Sequence, residues 1–200
     1  MIEGVVGGIA EKERALSDVL SSMRSVVVAY SGGVDSAYLA CLAHRTLGSR
    51  ALAVTADSPS YSDRHRRMAI YIAERFGFEH RIIRTAELDR PEYRVNPTNR
   101  CYYCKHELFS ELDPIARLRQ GVIVDGSNAD DRGDYRPGRQ AAREAGVRSP
   151  LDEVDLHKDE IRELSRQAGL PTWDEPSSAC LSSRIPYHSE VTDEKLRMIE

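Results

Sequence analysis

The stretch Ser31-Gly32-Gly33-Val34-Asp35-Ser36 follows an apolar run, SVVVAY (25–30), and precedes a helix-like segment. Two glycines permit a tight turn in which backbone N–H groups approach an anion closely. The positive end of the following helix points at the same spot, so a phosphate or pyrophosphate is the natural guest. Ser31 and Ser36 can donate further hydrogen bonds, and Asp35 can orient the loop or hold Mg2+. No Gly-Lys-Ser/Thr follows, and the string is not GxGxxG, which argues against a GTPase-like engine and a dinucleotide dehydrogenase. An ordinary glycine-rich turn explains a bare Ser-Gly-Gly but not the whole string.

Thiols are the second chemical signal. Cys41 stands alone, Cys101 and Cys104 form a CxxC within RCYYCK, and Cys180 lies in PSSACLSSR. Four cysteines are too few for a disulfide scaffold, so they raise metal binding or thiol chemistry instead. Spaced by three at a helix start, Cys101 and Cys104 can share one face. The helix dipole, Arg100 and Lys105 are expected to lower their pKa values. A zinc site would need Cys180 and a histidine such as His106 as well. A thioredoxin-type pair belongs after the first strand of a different fold. Cys41, between Leu39 and Leu42, reads as core. Cys180, among small polar residues and four positions before Arg184, has the accessible, electropositive setting that a reactive or metal-bound thiolate needs.

These residues must be held by something. Ile9–Met23 reads as an amphipathic helix and Ser25–Tyr30 as a strand buried on both faces. A helix over Ser36–Leu47 is stopped by Gly48. Strands at Ala51–Thr55 and His80–Arg84 flank a helix, Ser62–Phe76, closed by Gly77. Val122–Val124 makes a fourth strand, and Val147 with Leu151 hints at a fifth. Thr85–Arg100 reads as a long loop, and long loops in compact domains are usually functional or disordered. Asp159–Ala168 reads as a helix, Gly169–Val191 as a loop, and Thr192 as the cap of a final helix. Strands alternating with helices indicate an α/β fold, a parallel sheet with helices on both faces. Ligands in such sheets sit at the carboxyl ends of the strands. Asp57 after strand two and Gly126 after strand four are therefore candidates to meet a nucleotide.

The chain has 200 residues, 40% of them hydrophobic and 30% charged, with 28 Lys and Arg against 32 Asp and Glu for a net charge of −4. That composition excludes a disordered chain and a membrane bundle, and gives no general pull toward nucleic acid. No apolar run approaches the roughly 20 residues of a membrane span. Met1–Ala10 shows no secretory signal, so the expected compartment is the cytoplasm. Nothing stops the last helix before Glu200, so the chain reads as ending inside a longer, apparently C-terminally truncated protein.

The full SGGxDS string resembles the PP-loop of the ATP pyrophosphatase superfamily, with its adenine nucleotide alpha hydrolase-like fold. Together, SGGVDSAYLA, NPTNRCYYCK, DGSNADDRGDYRPG and GLPTWDEPSSACLSSRIPY resemble the LarE family, ATP-dependent sulfur transferases of nickel-pincer cofactor biosynthesis. The resemblance implies a PP-loop domain over residues 1–168, and a sulfur-transfer loop with the start of a C-terminal region over 169–200. It implies that Ser31, Gly32, Gly33, Asp35, Ser36, Asp57 and Gly126 bind ATP, with Mg2+ on Asp35. The implied reaction adenylates a carboxylate of pyridinium-3,5-biscarboxylic acid mononucleotide, after which sulfur displaces AMP to leave a thiocarboxylate. Cys180 falls on the sulfur-source cysteine. Some members give up that sulfur and keep dehydroalanine. Others carry two extra cysteines in the RCxxCK segment and are thought to hold a [4Fe-4S] cluster on three thiolates. With Cys101, Cys104 and Cys180 this chain resembles the cluster type, which implies catalytic transfer from an external sulfur donor. Arg184 is the candidate for the substrate phosphate. A homo-oligomer is expected, and neither membrane nor nucleic acid is an expected partner.

Two other functions compete. A tRNA thiolase of the same superfamily would need a basic surface, for which the Arg64, Arg66 and Arg67 cluster is the one feature in favour. A non-catalytic nucleotide-binding sensor would bind ATP without cleaving it and has no use for Cys180.

Overall fold

The valine run at 26–28 forms a strand because β-branched side chains lose little freedom in extended backbone, and helices cover both faces of the strand. In the computed structural model, which describes residues 3–133, 135–176 and 179–200, this strand β1 (Val26–Ala29) lies inside a four-stranded sheet. Its neighbours are β2 (Ala51–Asp57) and β4 (Val122–Val124), and β3 (His80–Arg84) is the edge beyond β2. All pairings are parallel, with Val26 opposite both Ala51 and Val122.

Two helical layers use the two faces of β1. Val26 and Val28 pack with Leu16 and Leu20 of α1 (Glu3–Ser21), Leu39 of α2 (Val34–Leu47), Ile72 of α3 (Asp63–Phe76) and Ile161 of the late helix 158–167. Val27 and Ala29 pack on the other face with Phe109 and Leu112 from helix 100–118 and Ala142 from helix 137–144. The chain steps outward from β1 to β2 to β3, then returns across the opposite face to β4. Right-handed crossovers require that switch of face when the direction reverses.

Glycines end helices where expected: Gly48 follows α2 with φ +60 and Gly77 follows α3 with φ +71. Several expectations need correction. The 85–100 stretch holds a 3-10 turn, Glu87–Asp89, and a short helix, α4 (Pro91–Arg94), before α5 (Arg100–Leu118). The fifth strand shrinks to one parallel bridge between Val124 and Arg148, because Pro150 soon opens a helix. The sequence reading also missed α6 (Pro137–Glu144), whose buried residues are only Ala141 and Ala142. After it come α7 (Pro150–Glu153), α8 (Lys158–Gln167) and α9 (Asp193–Ile199). The first helix begins at Glu3, not Ile9, and ends at Ser21.

A third, smaller core joins the C-terminal segment to the 87–104 region. Leu181, Ile185, Val191 and Leu196 bury against Tyr93, with Leu88 and Tyr103 at the margin. Cys41 is buried in the main core, as expected.

Candidate active site

Where β1 and β4 lie side by side, the loops leaving their carboxyl ends diverge to opposite faces, which leaves a crevice. The first of these loops is the glycine turn. Gly32 has φ +72, and a Cβ there would lie 3.0 Å from the Ala69 Cβ, so glycine is required twice over. Ser36 Oγ accepts from Ser31 N (3.2 Å) and donates to Gly33 O (3.2 Å), while the two serine hydroxyls lie 3.1 Å apart. The hydroxyls therefore tie the turn closed. Gly33 caps α2 with no side-chain hydrogen bond, so no side chain competes with an anion for the first N–H groups.

Gly126, leaving β4, seals the far side of this cradle. A Cβ there would meet Ser36 N at 3.0 Å and the Asp35 Cβ at 3.3 Å. The close approach that Gly126 permits is thus between two loops of the protein, where the sequence suggested one to ATP. The Asp125 carboxylate beside it is occupied by Ser127 and by Ser149 Oγ (2.7 Å).

Asp35 sits at the head of α2 with Lys158 Nζ 2.5 Å from its Oδ2. Its Oδ1 is buried and, among the described residues, has no hydrogen-bond partner. Burial raises its pKa above the usual carboxylate range, and the Lys158 ammonium opposes that shift. A buried, unpartnered carboxylate oxygen beside an anion cradle fits Mg2+, which would neutralise charge on departing pyrophosphate. Lys158 is the side chain at the cradle that motif reasoning missed, because a lysine opening a late helix has no motif around it. It is held in place locally: Asp130 Oδ2 accepts from Lys158 N (2.7 Å), and Asp130 Oδ1 pairs with His157 Nδ1 (2.7 Å). Asp131 accepts from Asn128 N (3.0 Å) and pairs with Arg136 (2.8 Å). Asp57, at the end of β2, pairs with Arg66 at 3.3 Å.

Cys104 packs at the margin of the small C-terminal core, at the start of the α5 helix that also carries Cys101. Cys101 and Cys180 are exposed and Cys104 is half-buried. Burial pushes the Cys104 thiol up to about 12, the Glu87 carboxylate adds to the shift, Lys105 opposes it, and Cys180 and Cys101 contribute the remainder. This overturns the expectation of a lowered pKa at that position: desolvation outweighs the helix dipole. Glu87 is itself buried and accepts from Ser58 Oγ (2.5 Å) and Ser60 Oγ (2.7 Å). Cys180 Sγ lies 3.4 Å from Ser183 Oγ. Its neighbour Leu181 donates its N–H to Ser60 O at 3.0 Å, and Tyr61 OH donates to Ser31 O at 2.8 Å. One loop, 58–61, therefore touches both the cysteine segment and the glycine cradle. Ser177 and Ser178 of the same motif lie outside the described residues.

Among the described residues, no three of His, Cys, Asp and Glu stand close enough together to hold a metal ion. The thiols of Cys101, Cys104 and Cys180 share a neighbourhood without forming a ligating set, and His106 does not complete one. Arg184 is exposed and donates to Ile199 O (3.3 Å), so its guanidinium rests on the C-terminal helix and not on the cradle. Arg64 pairs with Glu175, Arg66 with Asp57 and Asp63, and Arg67 with Asp63. That cluster is neutralised locally. No described helix is long and apolar enough to cross a membrane.

A parallel sheet whose first turn is a bare-backbone anion cradle, with a half-buried acid and a lysine at its rim, defines the PP-loop class of ATP-cleaving proteins. The NAD synthase family model matches residues 9–127. The fold is that of a solved NMN synthetase from Francisella tularensis, with a TM-score of 0.67 and 19% identity over 96% of this chain and 91% of that one. An uncharacterized protein from Synechocystis sp. is 44% identical over 96% of this chain and 72% of its own length. The pyridinium-3,5-bisthiocarboxylic acid mononucleotide synthase of Lactiplantibacillus plantarum is 33% identical over 96% of this chain and 70% of its own length. The chain belongs to the LarE family of ATP-dependent sulfur transferases.

Proposed function

We propose that this protein adenylates a carboxylate of pyridinium-3,5-biscarboxylic acid mononucleotide and then replaces AMP with sulfur, giving the thiocarboxylate. A carboxylate oxygen attacks the α-phosphorus of ATP; the bond to the β-phosphate oxygen breaks, and pyrophosphate leaves into the turn 31–36. Cradle N–H groups and Lys158 stabilise the charge growing there; Asp35 would hold Mg2+, which would supply further neutralisation of that charge. Ser31, Gly32, Gly33, Ser36 and Gly126 shape the cradle, and Asp57 stands at the nucleoside side. Sulfur at Cys180 then attacks the acyl carbon and AMP leaves: attack by the Cys180 thiolate gives a thioester, which frees the thiocarboxylate by loss of the Cys180 α-proton and cleavage of its Cβ–Sγ bond to leave dehydroalanine, whereas attack by an external sulfide gives the thiocarboxylate directly and leaves the thiol intact. The observation that carries this reading is the 58–61 loop, which bonds to Ser31 through Tyr61 and to the Cys180 segment through Ser60.

Within this reading, residues 1–168 are the ATP-cleaving domain, 169–200 the sulfur-transfer segment, and Arg184 the contact for the substrate phosphate. The four cysteines are all free, the state a reducing compartment maintains, which supports a cytoplasmic location. A homo-oligomer is part of the proposal. The [4Fe-4S] form assigns its ligands to Cys101, Cys104 and Cys180. Cys104 senses both other thiols, yet among the described residues the three are not at ligating distance. Iron and sulfide analysis after anaerobic reconstitution tests it, and a carefully reconstituted sample without iron would remove it. The tRNA reading loses its one support, because all three arginines are paired with acids.

The test of function is pyrophosphate release from ATP with and without the carboxylate acceptor, followed by mass spectrometry of product and protein. Acceptor-dependent release and a thiocarboxylate product are expected. Loss of one sulfur from Cys180 means sacrifice, whereas an intact thiol with product means an external donor. ATP binding with no acceptor-dependent release would leave only a nucleotide sensor.

A further inference from the structure

Arg100 is an unusual buried cation. It is 3% exposed, and among the described residues no carboxylate pairs with it. Burying a guanidinium is costly unless its donors are used, and neutral oxygens take them here. One arm donates to Asn96 Oδ1, the other to Ser183 Oγ at 3.3 Å. Because an arginine can only donate, Ser183 Oγ is the acceptor in that bond, and its own O–H stays free to donate to Cys180 Sγ, 3.4 Å away.

Asn96 is the base of the arrangement. It is fully buried, its backbone is left-handed at φ +54, and its Nδ2 donates to three carbonyls: Ile185 (3.3 Å), Pro186 (2.8 Å) and Ser189 (3.0 Å). Its own carbonyl accepts from His188 N at 2.9 Å, and Val191 N donates to Arg94 O at 2.8 Å. Beneath these bonds the apolar cluster of Tyr93, Leu181 and Ile185 closes the contact. Residues 94–100 thus hold the segment that follows Cys180 from several sides, and they lead directly into the helix that carries Cys101 and Cys104.

We propose that Arg100, seated on Asn96, is the positioning residue for Cys180: through Ser183 it fixes the Cys180 sulfur beside the Cys101/Cys104 end of α5. The role rests on the assignment of Cys180 as the sulfur-bearing residue, but its geometric part stands independently. It accounts for two motifs far apart in the chain, NPTNRC and ACLSSR, as two halves of one clamp. Arg100 touches no reacting atom, so its removal leaves adenylation intact and loosens only the sulfur step.

The test uses the full chain with Arg100→Gln, Arg100→Lys and Ser183→Ala, the last at an exposed position that does not threaten folding. Dibromobimane cross-linking of Cys180 to Cys101 or Cys104, mapped by peptide mass spectrometry, reads the geometry without any catalysis. Pyrophosphate release reads adenylation and thiocarboxylate formation reads transfer. For Arg100→Gln, cross-linking falls, pyrophosphate release stays at the wild-type rate, and transfer falls about 10- to 100-fold. Arg100→Lys recovers part of both losses, and Ser183→Ala lowers cross-linking in the same direction. Unchanged cross-linking in Arg100→Gln and Ser183→Ala overturns the proposal, as does a loss of adenylation matching the loss of transfer. Should Arg100→Gln fail to fold, Ser183→Ala decides the same question. A wild-type chain that cross-links but makes no thiocarboxylate overturns the functional reading and leaves the clamp standing.

Discussion

Replacing Gly126 with alanine adds a single carbon at the narrowest joint of the cradle. That Cβ would lie 3.0 Å from Ser36 N, 3.3 Å from Ser36 Cα and 3.3 Å from the Asp35 Cβ. Carbon contacts settle at about 3.5–4.0 Å, so the two loops must separate by roughly 0.5 Å. None of the three atoms is the end of a flexible side chain, and the movement falls on the first turn of α2. Overpacking of this kind costs about 1–3 kcal/mol. For a chain of this length each kcal/mol lowers Tm by about 2–4 °C, so a fall of about 2–12 °C is expected by circular dichroism. The N–H groups that receive pyrophosphate move with the turn, and displacement on this scale costs about 10- to 100-fold in rate. Gly8→Ala is the internal control: nothing lies within 4 Å of a Cβ there, and alanine in α1 should stabilise by about 0.5–1 kcal/mol. If Gly126→Ala holds its Tm and releases pyrophosphate within about twofold of wild type, the loop contact is not what shapes the cradle.

Three further outcomes are expected. Lys158→Met removes a cation at the rim of the cradle and leaves the half-buried Asp35 without its partner; pyrophosphate release falls about 100-fold or more, and a rate near wild type would take Lys158 out of the site. With its pKa pushed up to about 12, Cys104 is thiolate only to about one part in ten thousand at pH 8, so iodoacetamide modifies it at least about 100-fold more slowly than the exposed Cys180; equal rates refute that environment. The His157 pKa is raised, first by its bond to Asp130 and further by Asp130 and Asp155 charge, with burial and Lys12 opposing. Its stabilising contribution is therefore complete below about pH 6.5 and is lost as pH rises through the folded value. An NMR titration should give a midpoint above that of a model histidine and Asp130→Asn should lower it; a midpoint unaffected by Asp130→Asn would remove the pair.

Local chemistry made much of the fold readable in the chain. The strand at 80–84 and the fourth strand at 122–124 stand where apolar patterning put them, and Gly48 and Gly77 end their helices because each needs a positive φ. The short pieces escaped. Helix α6 buries only two alanines, too little hydrophobic contrast to register, and α4 is four residues opened by Pro91 inside a stretch rich in loop formers. At the site, Ser31–Ser36 was legible because one contiguous string makes the cradle. Lys158 was not, since its meaning comes from a carboxylate 123 positions away. The Cys104 thiol was misread for the same reason: the lowering influences are adjacent in sequence, whereas Glu87 and the burying cluster arrive only with the fold.

That asymmetry bears on how two half-reactions share one small sheet. Adenylation needs a rigid anion hole, and the cradle is built from backbone locked by serine hydroxyls and by bare contacts at Gly32 and Gly126. Sulfur delivery needs a nucleophile that can approach the acyl adenylate, and Cys180, the residue proposed for it, is exposed on an irregular segment held from behind. The two regions meet through residues 58–61, whose hydroxyls run from Ser31 at Tyr61 to the buried Glu87 at Ser58 and Ser60. Because Ser60 O also holds Leu181, displacement of this loop on nucleotide binding would move the cysteine segment with it.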